Sequence, residues 1–125
     1  MKNLKILLID DEEQMRSYLN ELFKSHFQVE ADLIEDCLDG FICCREKKYD
    51  VIICDHRTPF MNGADFVQAL RLKENINKET PIIFISGYLN EALLFQNNQD
   101  AKKIKFLRKP FSNNELTNSI LEFVQ

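Results

Sequence analysis

Hydrophobic and polar positions follow two alternating regimes along the chain. Short continuous apolar runs occur at Ile6-Leu7-Leu8-Ile9, Val51-Ile52-Ile53-Cys54, Ile82-Ile83-Phe84-Ile85 and Ile104 to Leu107. A weaker one spans Val29 to Ile34, with Val29, Ala31 and Leu33 on one parity. Such runs suit parallel strands buried on both faces. Between them, apolar residues recur at helical spacing. Met15, Leu19, Leu22 and Phe23 mark a first helix, Leu38, Phe41, Ile42 and Arg45 a second, and Phe66, Val67, Leu70 and Leu72 a third. A fourth is expected from Leu89 to Gln99. Its apolar residues cover more of its circumference than a surface helix needs, which points to deeper burial or, the preferred reading, a partner surface. Ser112-Asn113-Asn114-Glu115 has the pattern of a capping box, opening a last helix with Leu116, Ile120, Phe123 and Val124 inward. Gly40 lies inside the second helix, where Gly costs roughly 1 kcal/mol relative to Ala. Close packing against the sheet is the expected reason.

Five strand–helix pairs with short connections imply an α/β fold, a doubly wound (βα)5 parallel sheet with right-handed crossovers. In such a sheet the strand C-termini share one edge, where ligands bind. The first strand ends on Asp10-Asp11, the third on Asp55, the fourth on Ser86-Gly87 and the fifth on Lys109. Three carboxylates, a hydroxyl and an ammonium are thus expected together. Clustered carboxylates repel unless a cation neutralises them, and an oxygen-only donor set suits Mg²⁺. One carboxylate can then attack phosphorus. The metal, the Lys and the hydroxyl share the charge of the transferring group. His56 is expected on the opposite side of the strand from Asp55.

Composition narrows the classes. The chain has 125 residues, 45% hydrophobic and 29% charged, enough for one domain with an ordinary core. A net charge of −4 argues against a nucleic-acid or membrane-surface binder. The N-terminus carries no signal-peptide pattern, and a cytoplasmic location is expected. Cys37, Cys43, Cys44 and Cys54 lack C-x-x-C spacing and are expected to be reduced, mostly buried small hydrophobes.

Taken together, Leu8-Ile9-Asp10-Asp11-Glu12, Asp55 with Pro59 and Met61-Asn62-Gly63, Ile85-Ser86-Gly87 and Lys109-Pro110-Phe111 resemble the response-regulator receiver domains of two-component signalling. The resemblance covers residues 1–125 and implies a flavodoxin-like fold with strand order 2-1-3-4-5. It implies that Asp55 is the phosphoacceptor, supplied by a sensor histidine kinase or histidine phosphotransfer protein. Asp10, Asp11, Asp55 and the backbone carbonyl of Arg57 would hold Mg²⁺. Ser86 and Lys109 would bind the phosphoryl group. Ser86 and Phe106 would form the switch, remodelling the face made by the 89–99 helix, the fifth strand and the last helix. That face would meet a downstream protein or fused output domain, or support a phosphorylation-dependent dimer. The Lys109-Pro110 bond would be cis, giving Pro110 a structural role. Arg57 and Tyr88 would tune the lifetime of the phosphorylated state.

Thr58, Cys37 and the stretch Ala101-Lys102-Lys103-Ile104-Lys105 depart from the family pattern. None removes a site group. A haloacid-dehalogenase-like phosphotransferase needs a second acid two residues after its nucleophile, and Arg57 stands there. A pseudo-receiver usually lacks a site residue, and all five are present. Self-catalysed phosphorylation and dephosphorylation, rather than turnover of a separate substrate, is the activity implied.

Overall fold

The computed structural model describes residues 3–87 and 103–124. Strands β1 (Leu4–Ile9), β2 (Val29–Ile34), β3 (Val51–Asp55), β4 (Ile82–Ser86) and β5 (Ile104–Arg108) form one sheet of order β2-β1-β3-β4-β5. Every pairing is parallel. Helices α1 (Glu13–His26), α2 (Cys37–Glu46), α3 (Gly63–Leu72) and α4 (Asn113–Val124) complete the described elements. This is the flavodoxin-like arrangement. The helix expected over 89–99, and Tyr88, lie outside the described residues.

Strand parity divides the core in two. Leu7, Ile9, Ile52, Cys54, Ile82 and Phe84 face α2 and α3, with Phe106 packed against them. Ile6, Leu8, Ile53, Ile83, Ile85 and Leu107 face α1 and α4. The central strands are apolar on both faces because both are covered.

The second helix buries a different stripe from the one its aliphatic residues predict. Cys37, Gly40 and Cys44 are buried, whereas Leu38 and Ile42 are 45% and 49% exposed. Gly40 sets this orientation. A Cβ there would meet the end of the Ile9 side chain, which would have to shift, so the helix lies close against the sheet. In α3, Phe66, Val67 and Leu70 are buried as expected, but Leu72 at its end is exposed. The capping box is formed: Glu115 N–H donates to Ser112 Oγ and Ser112 N–H to Glu115 Oε1, each at 3.1 Å. The cysteines are free, and all but Cys43 are buried.

A polar clamp closes the far edge of the sheet. Asn77, fully buried, donates from Nδ2 to the carbonyls of Cys44 and Lys47, both at 2.7 Å. Its Oδ1 accepts from Tyr49 N–H and Thr80 Oγ1, both at 2.9 Å. Arg71 donates to the carbonyls of Lys78 and Thr80. This ties α2, α3 and the start of β4 together. No helix among the described residues is long and apolar enough to cross a membrane.

Candidate functional site

At the C-terminal edge of the sheet, β1 and β3 are adjacent, and their ends bring Asp10, Asp11 and Asp55 together. Each offers a carboxylate oxygen, and these lie within 4.8 Å of one another. Asp10 and Asp55 are buried; Asp11 is exposed. Asp10 is fixed by its backbone N–H to Ile34 O at 3.0 Å, and its Oδ1 accepts from Glu12 N–H at 2.9 Å. Its other oxygen, Oδ2, is buried without a hydrogen-bond partner. Burial pushes the Asp10 carboxyl above its usual range; the Glu12 N–H opposes this and the nearby Asp55 charge adds to it. A buried carboxylate oxygen without a donor, beside two further carboxylates, fits a small hard cation. The donor set therefore suits Mg²⁺.

Asp55 ends β3 with both oxygens engaged. Oδ2 accepts from Lys109 Nζ at 2.8 Å and Oδ1 from the backbone N–H of Arg57 at 3.1 Å. Burial tends to lower the Lys109 pKa, but the Asp55 hydrogen bond and charge outweigh it, and the ammonium is held above its ordinary value. Lys109 reaches the site from the end of β5. Its backbone N–H donates to Ser86 O at 2.8 Å, and the Lys109-Pro110 bond is cis as expected. The register pairs Asp55 with Ile85, so Ser86, buried, follows one residue beyond. The side chain of Arg57 is exposed.

Three sets of contacts around the site extend what the strand ends alone imply. His56 lies on the α3 side of the sheet, as strand parity predicts, and its ring packs on Phe84 at 5.3 Å between centroids. Phe84 in turn meets Phe106 edge-on at 5.7 Å. An aromatic row thus crosses β3, β4 and β5 behind Asp55. Two departures from the family pattern also touch: Cys37 N–H donates to Thr58 Oγ1 at 3.3 Å, and Thr58 Oγ1 donates to Met61 O at 2.7 Å. Cys37 Sγ lies 3.5 Å from Cys54 Sγ. Finally, Gly63 has no room for a side chain. An added Cβ would lie 2.8 Å from His56 Cα, 2.9 Å from the Phe84 ring and 3.2 Å from Asp55 O.

Comparison with known proteins agrees with this fold. The family model for the response regulator receiver domain matches residues 6–121, and the chain belongs to that family. It is 34% identical over 85 residues to the transcriptional regulatory protein CusR of Escherichia coli (strain K12), covering 67% of this chain and 35% of CusR. It is 33% identical over 119 residues to the transcriptional regulatory protein RprY of Bacteroides fragilis (strain YCH46), covering 93% of this chain and 47% of RprY. The chain thus spans about a third to a half of these relatives. Among solved structures, the receiver domain of a sensor histidine kinase from Pseudomonas aeruginosa PAO1 superposes with a TM-score of 0.83 at 22% identity, covering 98% of both chains. That protein holds a magnesium ion in its active-site cleft. The chemotaxis response regulator CheY4 of Vibrio cholerae gives 0.84 at 23% identity, covering 98% of this chain and 99% of its own.

Proposed function

We propose that this receiver domain is a phosphorylatable switch in which Asp55 accepts a phosphoryl group from the phosphohistidine of a sensor kinase or phosphotransfer protein. The phosphorus–nitrogen bond breaks, its electron pair returns to the imidazole, and a bond forms between phosphorus and an Asp55 carboxylate oxygen. The observation that supports this best is the three-carboxylate cluster with Lys109 on the central acid.

Asp10, Asp11, Asp55 and the Arg57 carbonyl would hold Mg²⁺. When bound, it neutralises the clustered carboxylates and the incoming phosphoryl oxygens. Lys109 supplies a compact positive charge that can move from the carboxylate to a phosphoryl oxygen. Ser86 supplies a hydroxyl on the neighbouring strand end. Drawing Ser86 toward the phosphoryl group would free space for Phe106 to turn, which is a local charge event biasing a two-state element. The remodelled surface includes β5 and α4 and meets a downstream protein, a fused output domain or a second copy. Arg57, beside the acceptor, would tune how long the acyl phosphate lasts.

The test is stoichiometry. Acetyl phosphate with Mg²⁺ should add one phosphate per chain by intact-mass spectrometry, and Asp55→Asn should abolish the addition. Sustained multi-turnover hydrolysis of a small phosphoester would favour an enzyme instead.

A further inference from the structure

We propose that Phe60 is an apolar docking point for the histidine-phosphorylated protein that donates to Asp55. The proposal rests on the phosphoacceptor reading above and extends it to the surface of the donor. Phe60 is 88% exposed, more than any other large hydrophobic side chain among the described residues. It also has a φ of 72°, a region that an aromatic L-residue rarely adopts. The N–H of Met61 donates to Pro59 O at 2.8 Å, closing a three-residue turn centred on Phe60. A turn of this kind with positive φ at its centre is rare and strained. Gly or Asn would relieve the strain and remove the exposed ring. Neither folding nor solubility therefore accounts for a Phe at this position, and such outliers gather where a surface is used.

The loop is tied by hydrogen bonds on both sides of Phe60. Thr58 Oγ1 joins the Met61 carbonyl to the first N–H of α2. Gly63 N–H donates to His56 O at 2.8 Å, and Asn62 Oδ1 caps α3 by accepting from Asp65 N–H at 2.8 Å. Met61 packs against the core. A side chain displayed from a pre-ordered loop loses little freedom on docking.

The occupant follows from the chemistry of transfer. An imidazole-bound phosphoryl group reaches Asp55 only if the donor covers the strand C-terminal edge, and the 56–62 loop runs from Asp55 itself. The partner is then a protein with an apolar depression beside its phosphohistidine. A small phosphodonor has no such surface and should not sense Phe60.

The experiment compares two donor types on the wild-type chain and on Phe60→Ala and Phe60→Asn. One donor is phosphoramidate. The other is the fastest member of a panel of purified, autophosphorylated histidine-kinase cores. Both variants should show transfer from the kinase core slowed by about tenfold at subsaturating chain, mainly through KM. Labelling by phosphoramidate should stay within about twofold, and melting temperatures should not fall. Leu72→Ala, an exposed apolar residue at the other end of α3, should change neither rate. Equal loss with both donors, or unchanged kinase transfer, overturns the docking role. So does failure of every kinase core on a chain that phosphoramidate labels. If no donor of either type labels the wild-type chain, the phosphoacceptor reading itself fails.

Discussion

Phe84 and Phe106 stand opposite each other in the β4–β5 register, with ring centroids 5.7 Å apart and planes at 63°. Phe84 also touches the ring of His56, the residue after Asp55. On the proposed switch, Phe106 must break this contact as it turns, so Phe84 should influence the response. With Mg²⁺ and beryllofluoride, the NMR signals of Ser86 and Phe106 should shift in the wild-type chain. In Phe84→Leu the pocket signals of Asp10, Asp11 and Asp55 should still shift, while the Phe106 response changes in size. An unaltered Phe106 response would remove Phe84 from the coupling.

The lone buried oxygen of Asp10 leads to two effects of opposite sign. Mg²⁺ at ten times its Kd should stabilise the wild-type fold by about 1.4 kcal/mol, and chelation should reverse this. Asp10→Asn, in contrast, should be more stable than wild type without metal, by about 1 kcal/mol. It removes a desolvated charge beside Asp55. Its gain from Mg²⁺ should shrink. Thermal melts with and without the ion measure both effects.

Gly63 is pressed against the end of β3, so Gly63→Ala should cost about 1–3 kcal/mol. The clash falls on His56 backbone, the Phe84 ring and the Asp55 carbonyl. Two of these three are too stiff to give way cheaply. Labelling of Asp55 should slow as well, because the carboxylate shifts with its backbone. Denaturant melts and acetyl phosphate labelling rates report the two losses separately.

Tyr49 and Asp32 give a pH-dependent term away from the site. Burial tends to raise the Asp32 pKa, but the Tyr49 hydroxyl at 2.6 Å and Lys47 at 3.1 Å outweigh it, and the net shift is downward. A carboxyl depressed in the folded state stabilises above its unfolded pKa. That contribution is lost as pH falls through the lower, folded value. Tyr49→Phe should therefore lose about 1–2 kcal/mol near neutral pH. Its stability should also fall less between neutral pH and the acid side of the Asp32 titration than that of wild type. Equal acid sensitivity in both chains would place the linkage elsewhere.

Much of this was legible in the sequence because it rests on short-range pattern. Continuous apolar runs marked the strands, and those of β1, β3 and β4 ran directly into Asp10, Asp55 and Ser86. The stripe of α2 was misread because Cys37, Gly40 and Cys44 carry less hydrophobicity than Leu38 and Ile42. The decision there belongs to Ile9, which lies far away in sequence and meets the helix at Gly40. Asn77 and Arg71 were passed over for a related reason: a buried polar clamp has no periodicity. Phe60 was silent too. A positive φ is a property of the turn closed by Met61 and Pro59, and Phe is not a residue that signals one.

Reductive trapping after acetyl phosphate treatment tests the central claim most directly. Borohydride reduces an acyl phosphate at an aspartate to homoserine, and peptide mass spectrometry locates the change. The account requires homoserine at position 55, dependent on Mg²⁺, with Asp10 and Asp11 intact. Trapping at another residue, or none on a chain shown to be folded, would contradict it.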